Sequence, residues 1–178
     1  MPFAVELFFN EQSEARINTL WDELRDAGLP GLGGAGSHGR PHVSITGLRD
    51  ADENNVRRIL DDTATAAFSL YFESVGTFPG DEGVVFLGPS ATHELLDVHS
   101  RTVGALEGNG IPTSELYAPG RWISHCTVAI RVEKSRISEA INICRESKAL
   151  GPVVVEEIGL FEIQPARHRF AIPLGGRI

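Results

Sequence analysis

The sequence predicts an α+β fold of two pseudo-symmetric lobes around one cleft, and three observations carry that prediction. Short β-patterned runs alternate with amphipathic helical runs along the chain. A strand, helix, strand, strand unit recurs, over about residues 40–88 and again over 122–174. Each copy opens on a run in which a histidine and a hydroxyl stand two residues apart. With 178 residues, 42% of them hydrophobic and 22% charged, the chain reads as one domain, 1–178, long enough to bury a substantial core.

Taken in order, Phe3 to Phe9 reads as a strand, and Asn10 can cap a helix whose apolar stripe is Ile17, Leu20, Trp21 and Leu24. Gly28 and Pro30 stop it. The run "GLGGAGSHGR" (31–40) lacks the Gly-Lys-Ser/Thr ending of a phosphate loop, so it reads as a mobile loop with His38 exposed, leading into the first motif strand. Asp50 or Asp52 then caps a helix that buries Val56, Ile59, Leu60 and Ala64. Phe68 to Val75 and Val84 to Leu87 read as strands, and a helix from about Thr92 to Leu106 ends at "GNG". The second motif strand lies within Gly120 to Val132; a helix from about Ser135 and strands over Val153 to Ile163 and His168 to Leu174 complete the pattern.

The repeat holds in register. Gly76 and Phe78 lie 34 and 36 residues beyond His42, and Gly159 and Phe161 lie 34 and 36 beyond His125, so "SVGTF" answers "EIGLF". Phe86 and Phe170 follow at 44 and 45. Two such copies packed about a pseudo-two-fold axis would turn their polar strand faces onto one shared site.

Those faces carry the chemistry. Alternate strand side chains share a face, so His42 and Ser44, and likewise His125 and Thr127, project together about 7 Å apart. In-line cleavage of a phosphodiester needs one group to take a proton from water and another to give one to the leaving oxygen. Two imidazoles do both near neutral pH, which calls for no metal and no cofactor. Hydroxyls of Ser44 and Thr127 can donate to the non-bridging phosphate oxygens. Which histidine is the acid stays open.

The quartets "HVSI" at His42 and "HCTV" at His125 resemble the His-x-Ser/Thr-hydrophobic motifs of the 2H phosphoesterase superfamily, which includes bacterial 2′-5′ RNA ligase-like proteins and cyclic phosphodiesterases. The resemblance runs over nearly the whole chain. It departs in Ser44, where Thr is more usual, and in Ser124, where Pro is often found. It implies two lobes of mainly antiparallel sheet with helices outside, catalytic His42 and His125, and phosphate-binding Ser44 and Thr127. It also implies a hydrolase in RNA processing that opens a 2′,3′-cyclic phosphate, or a related cyclic or 2′-5′ phosphodiester, to a 2′-phosphate. Joining of RNA ends through the same site, or binding without chemistry, are the alternatives.

Arg40 and Arg121 stand before the two motifs and are further substrate-binding candidates, as is Trp122 through stacking on a base. Core packing is the plainer role for Trp122, and equally for Phe9, Tyr71 and Phe78. His93, Asp97 and His99 suggest a metal site, but His93 and His99 do not share a helix face. Cys126 and Cys144, the only two cysteines, read as buried thiols. A net charge of −8 argues against wrapping long nucleic acid and for a small nucleotide or an RNA terminus as partner. No run approaches the ~20 apolar residues of a membrane span, and the first residues read as a strand, so a cytoplasmic monomer is expected.

Overall fold

The first strand, β1 (Phe3–Phe9), ends at Asn10, whose side chain accepts from the Ser13 amide and starts α1 (Glu11–Asp26). The apolar stripe of α1 is buried as its spacing predicts. The computed structural model describes residues 2–33 and 39–175, and the centre of the glycine-rich run, with His38, lies outside them. There follow β2 (His42–Leu48), α2 (Glu53–Thr63) capped by Asp52, β3 (Phe68–Thr77) and β4 (Val85–Pro89). Next come α3 (His93–Gly108) capped by Thr92, β5 (Cys126–Ala129), α4 (Ile137–Glu146), β6 (Gly151–Ile163) and β7 (Ala166–Pro173).

The seven strands form one sheet in the order β2-β1-β6-β3-β4-β5, with β7 also on β6, and every pairing is antiparallel. Strand β6 is long enough to serve two half-sheets. Its first residues, Gly151 to Val155, pair with β3, and the remainder runs between β1 and β7. One lobe is therefore β2-β1-β6-β7 with α2 and α3 against it; the other is β5-β4-β3 and the start of β6, with α1 and α4. The core lies between these strands and helices, and Leu20, Leu24, Ile59 and Leu60 of the helices join Val5, Leu7, Val128 and Leu160 of the strands in one buried cluster.

Three expectations are corrected. The sequence repeat is present, but its copies are not the lobes: β2 belongs to one lobe while β3 and β4, which follow it in the chain, belong to the other. The units 40–88 and 122–174 each serve both. Exchanging β1, α1, β2, α2 and β3 for β4, α3, β5, α4 and β6 reproduces the pairing scheme. Phe170 is thus no counterpart of Phe86, because it lies on β7, across β6 from β1. The second motif strand is also shorter than the alternation that runs from His125 to Val132. The chain before it turns at Ala118–Trp122, and Arg131 after it takes a φ of 62°, so only Cys126–Ala129 is strand and His125 stands one residue ahead of it.

The repeat's glycines now have a reason. Cross-strand neighbours place Ser44, Glu6 and Gly159 in one row and Thr127, Phe86 and Gly76 in the twin row. A Cβ at Gly159 would lie 2.3 Å from the Phe170 carbonyl oxygen, and one at Gly76 would lie 2.6 Å from the Phe86 ring. Neither row has space for a side chain there.

Candidate active site

Both motif histidines are held the same way. His42 Nδ1 donates to the carbonyl of Arg40 at 2.7 Å, and His125 Nδ1 donates to the carbonyl of Ile123 at 2.7 Å. A carbonyl only accepts, so each ring carries its proton on Nδ1 when neutral and leaves its lone pair on Nε2. Strands β2 and β5 lie near one another across the cleft, and charge on His42 is felt at His125.

Their surroundings differ. His125 packs against the rings of Phe78, at 4.9 Å, and Phe86, at 5.4 Å. Burial lowers its pKa from the ordinary 6.5, the Ile123 carbonyl opposes that, and charge on His42 lowers it further. His42 instead has the Glu6 carboxylate 3.4 Å from its Nε2. Glu6 is only 3% exposed, and burial raises its pKa from 4.5 against the pull of His42. Ser44 hydrogen-bonds the hydroxyl of Tyr117, whose pKa is raised by burial and by the Glu6 charge. Tyr117 belongs to a 3₁₀ turn, Glu115–Tyr117.

A cavity of about 510 Å³ opens on the second motif, lined by His125, Thr127, Phe78, Tyr117, Trp122 and Arg121. Its rim includes Leu116 and Ile123, which are 70% and 57% exposed. His42 and Ser44 lie outside its lining and connect to it through Tyr117 and the Trp122 indole, which donates to the Ser44 carbonyl at 3.1 Å. A larger cavity of about 690 Å³ beside Arg131 and Lys134 contains neither motif.

The accessory residues divide. Arg121 lines the cavity. The Arg40 guanidinium is instead taken up by Glu14, at 2.7 Å, and Glu157, at 2.6 Å, and lies over the Phe8 ring, so its charge is already matched. Trp122 stacks on His99 at 3.9 Å, and His99 Nε2 donates to the Tyr117 carbonyl at 2.9 Å; this pair braces the site from behind. Phe9 is core, Tyr71 is half exposed, and Phe78 packs on His125. Both cysteines are buried, with pKa values pushed up to about 12 by desolvation. Among the described residues no cluster of three or more His, Cys, Asp or Glu is placed to hold a metal ion, and no helix is long and apolar enough to cross a membrane.

Glu6, Tyr117 and Phe86 were missed from the sequence. Glu6 had a signal, a lone acid inside the apolar strand "FAVELFF". A carboxyl with a raised pKa binds its proton more tightly folded than unfolded, so its cost to stability is absent below about 4.5 and grows as pH rises through the folded value. Glu6→Gln is therefore expected to melt above the unmodified chain at pH 8, with the gap closing toward pH 4.5. Thermal melts across that range check it, and a gap that widens on acidification contradicts it.

Two lobes that each present a His-x-Ser/Thr pair to one cleft define the 2H phosphoesterase class. The chain belongs to the 2′-5′ RNA ligase superfamily, whose family model matches residues 9–166. Solved structures agree in fold. E. coli LigT complexed with 3′-AMP superposes with a TM-score of 0.64 at 12% identity over 98% of each chain. TT0787 of Thermus thermophilus gives 0.65 at 17% identity over 100% of each. The MHV ns2 PDE domain gives 0.51 at 24% identity over 75% of this chain and 86% of that one. No curated protein sequence matches the chain.

Proposed function

We propose that the protein is a phosphodiesterase that opens a 2′,3′-cyclic phosphate, on a nucleotide or an RNA end, to a 2′-phosphate. Membership of the family supports phosphodiesterase or RNA ligase-type chemistry. The observation that carries the finer reading is the matched pair of imidazoles, each with Nδ1 tied to a backbone carbonyl and Nε2 left to work. One Nε2 takes a proton from water as its oxygen bonds to phosphorus, and the other gives a proton to the departing 3′ oxygen. Ser44 and Thr127 donate to the non-bridging oxygens as charge builds there. Small nucleotides suit a cavity of about 510 Å³, and LigT has been solved with 3′-AMP and with ATP.

The exposed apolar rim of Leu116 and Ile123 favours a substrate that brings a base to the His125 side. Incubation with the four nucleoside 2′,3′-cyclic monophosphates in EDTA, with products resolved by chromatography, tests the reading. A 2′-phosphate product is expected, and it is expected to vanish in His42→Ala and His125→Ala. A 3′-phosphate product, or turnover abolished by EDTA, overturns it.

A further inference from the structure

The exchange that maps one lobe onto the other puts a carboxyl where the twin has a phenyl ring. Glu6 stands opposite Ser44 on the strand next to His42; Phe86 stands opposite Thr127 on the strand next to His125. The rows are otherwise alike, each with a hydroxyl residue on one side and a glycine, Gly159 or Gly76, on the other. This single difference touches both histidines, because Glu6 is 3.4 Å from His42 Nε2 and Phe86 packs on the His125 ring.

A carboxyl only 3% exposed on a central strand is costly unless something shares its charge. From β2, His42 and Ser44 face it; from the 3₁₀ turn, the Tyr117 hydroxyl; from β5, the Cys126 thiol; from β6, Gly159, which brings no side chain. Of these only His42 can carry a positive charge beside it. Glu6 and His42 therefore form a pair, the carboxyl buried and the imidazole partly exposed, that can hold one proton between them, whereas the twin histidine packs on the rings of Phe78 and Phe86, and Glu82, the carboxylate that shares its cavity, makes no ion pair with it.

Resting on the reading above, we infer that Glu6 is a positioning residue that keeps the mobile proton of the site on His42, making His42 the acid and His125 the base. The step balances in atoms and charge. His125 Nε2 removes a proton from water as the oxygen bonds to phosphorus, the bond between phosphorus and O3′ breaks, and the proton of the Glu6–His42 pair passes through His42 Nε2 to O3′. A 2′-phosphate leaves; His125 then releases its proton to solvent and the pair takes one up.

The test compares two leaving groups. A 2′,3′-cyclic nucleotide expels an alkoxide that needs a proton, and a nucleoside p-nitrophenyl phosphodiester expels a phenolate that does not. Glu6→Gln is expected to lower kcat on the cyclic substrate by about 30-fold with KM within about threefold, and kcat on the p-nitrophenyl ester by less than about threefold. Glu6→Asp recovers part of the loss. Glu6→Met repeats the comparison with an apolar side chain, which Phe86 shows the twin position accepts. Equal losses on both substrates, a change in KM alone, or no loss overturns the inference while leaving the reading above intact. No turnover of either substrate by the unmodified chain overturns both.

Discussion

His125→Ala is expected to reduce kcat on a 2′,3′-cyclic nucleotide by about 10³-fold, and His42→Ala by a similar factor, in keeping with the loss of a general acid or base. Neither change should unfold the protein. Both rings are partly exposed at the cleft, their fixing hydrogen bonds run to neighbouring carbonyls, and each touches the core only at its edge, His42 at Phe8 and His125 at Phe86. The unmodified enzyme should show a bell-shaped dependence of kcat/KM on pH. Its acidic limb should fall below 6.5, because burial and the charge on His42 lower the pKa of His125. A loss below tenfold in either variant, or an acidic limb above 6.5, contradicts these roles.

Gly159→Ala is expected to be among the most damaging small substitutions in the sheet. Its new methyl group would leave β6 and meet the backbone of β7, the Phe170 carbonyl oxygen at 2.3 Å and the Ala171 Cα at 2.9 Å. Backbone held in register by its pairing with β6 cannot step aside as a side chain can, so a cost of about 3 kcal/mol or more is expected, comparable with severe overpacking of a core. Gly76→Ala provides the contrast. There the nearest atoms belong to the Phe86 ring, which can swing, so stability should fall less while the packing around His125 is disturbed. Denaturant melts of the two variants check the order, and equal stabilities would contradict it.

Much of this was legible in the sequence because local rules decide it. The cap at Asn10, the stripe of α1 and the alternation around His42 and Ser44 each follow from period and side-chain chemistry within a few residues. The register of Gly76 with Gly159 was legible too, since a repeated spacing survives wherever the chain goes next. What it could not reveal was the exchange of strands between lobes, because two equal spacings fit both a side-by-side and an interleaved arrangement. The end of β5 was lost for a similar reason: "HCTVAIRV" alternates smoothly, and only contacts with residues far off in the chain turn it at Arg131. Tyr117 and the stacking of Trp122 on His99 arise in an irregular segment with no period to read. Glu6 had a local signal, but its partner at His42 is set by strand pairing, which no window around residue 6 contains.

That the two histidines act as one catalytic unit across the cleft is tested most directly by a double-mutant cycle. kcat/KM is measured in EDTA for His42→Ala, His125→Ala and the double variant on one 2′,3′-cyclic nucleotide. Groups that serve the same transition state lose little more together than apart, so the double variant is expected within about tenfold of the weaker single variant. Losses that multiply would mean that the two imidazoles act independently, and would contradict a shared site.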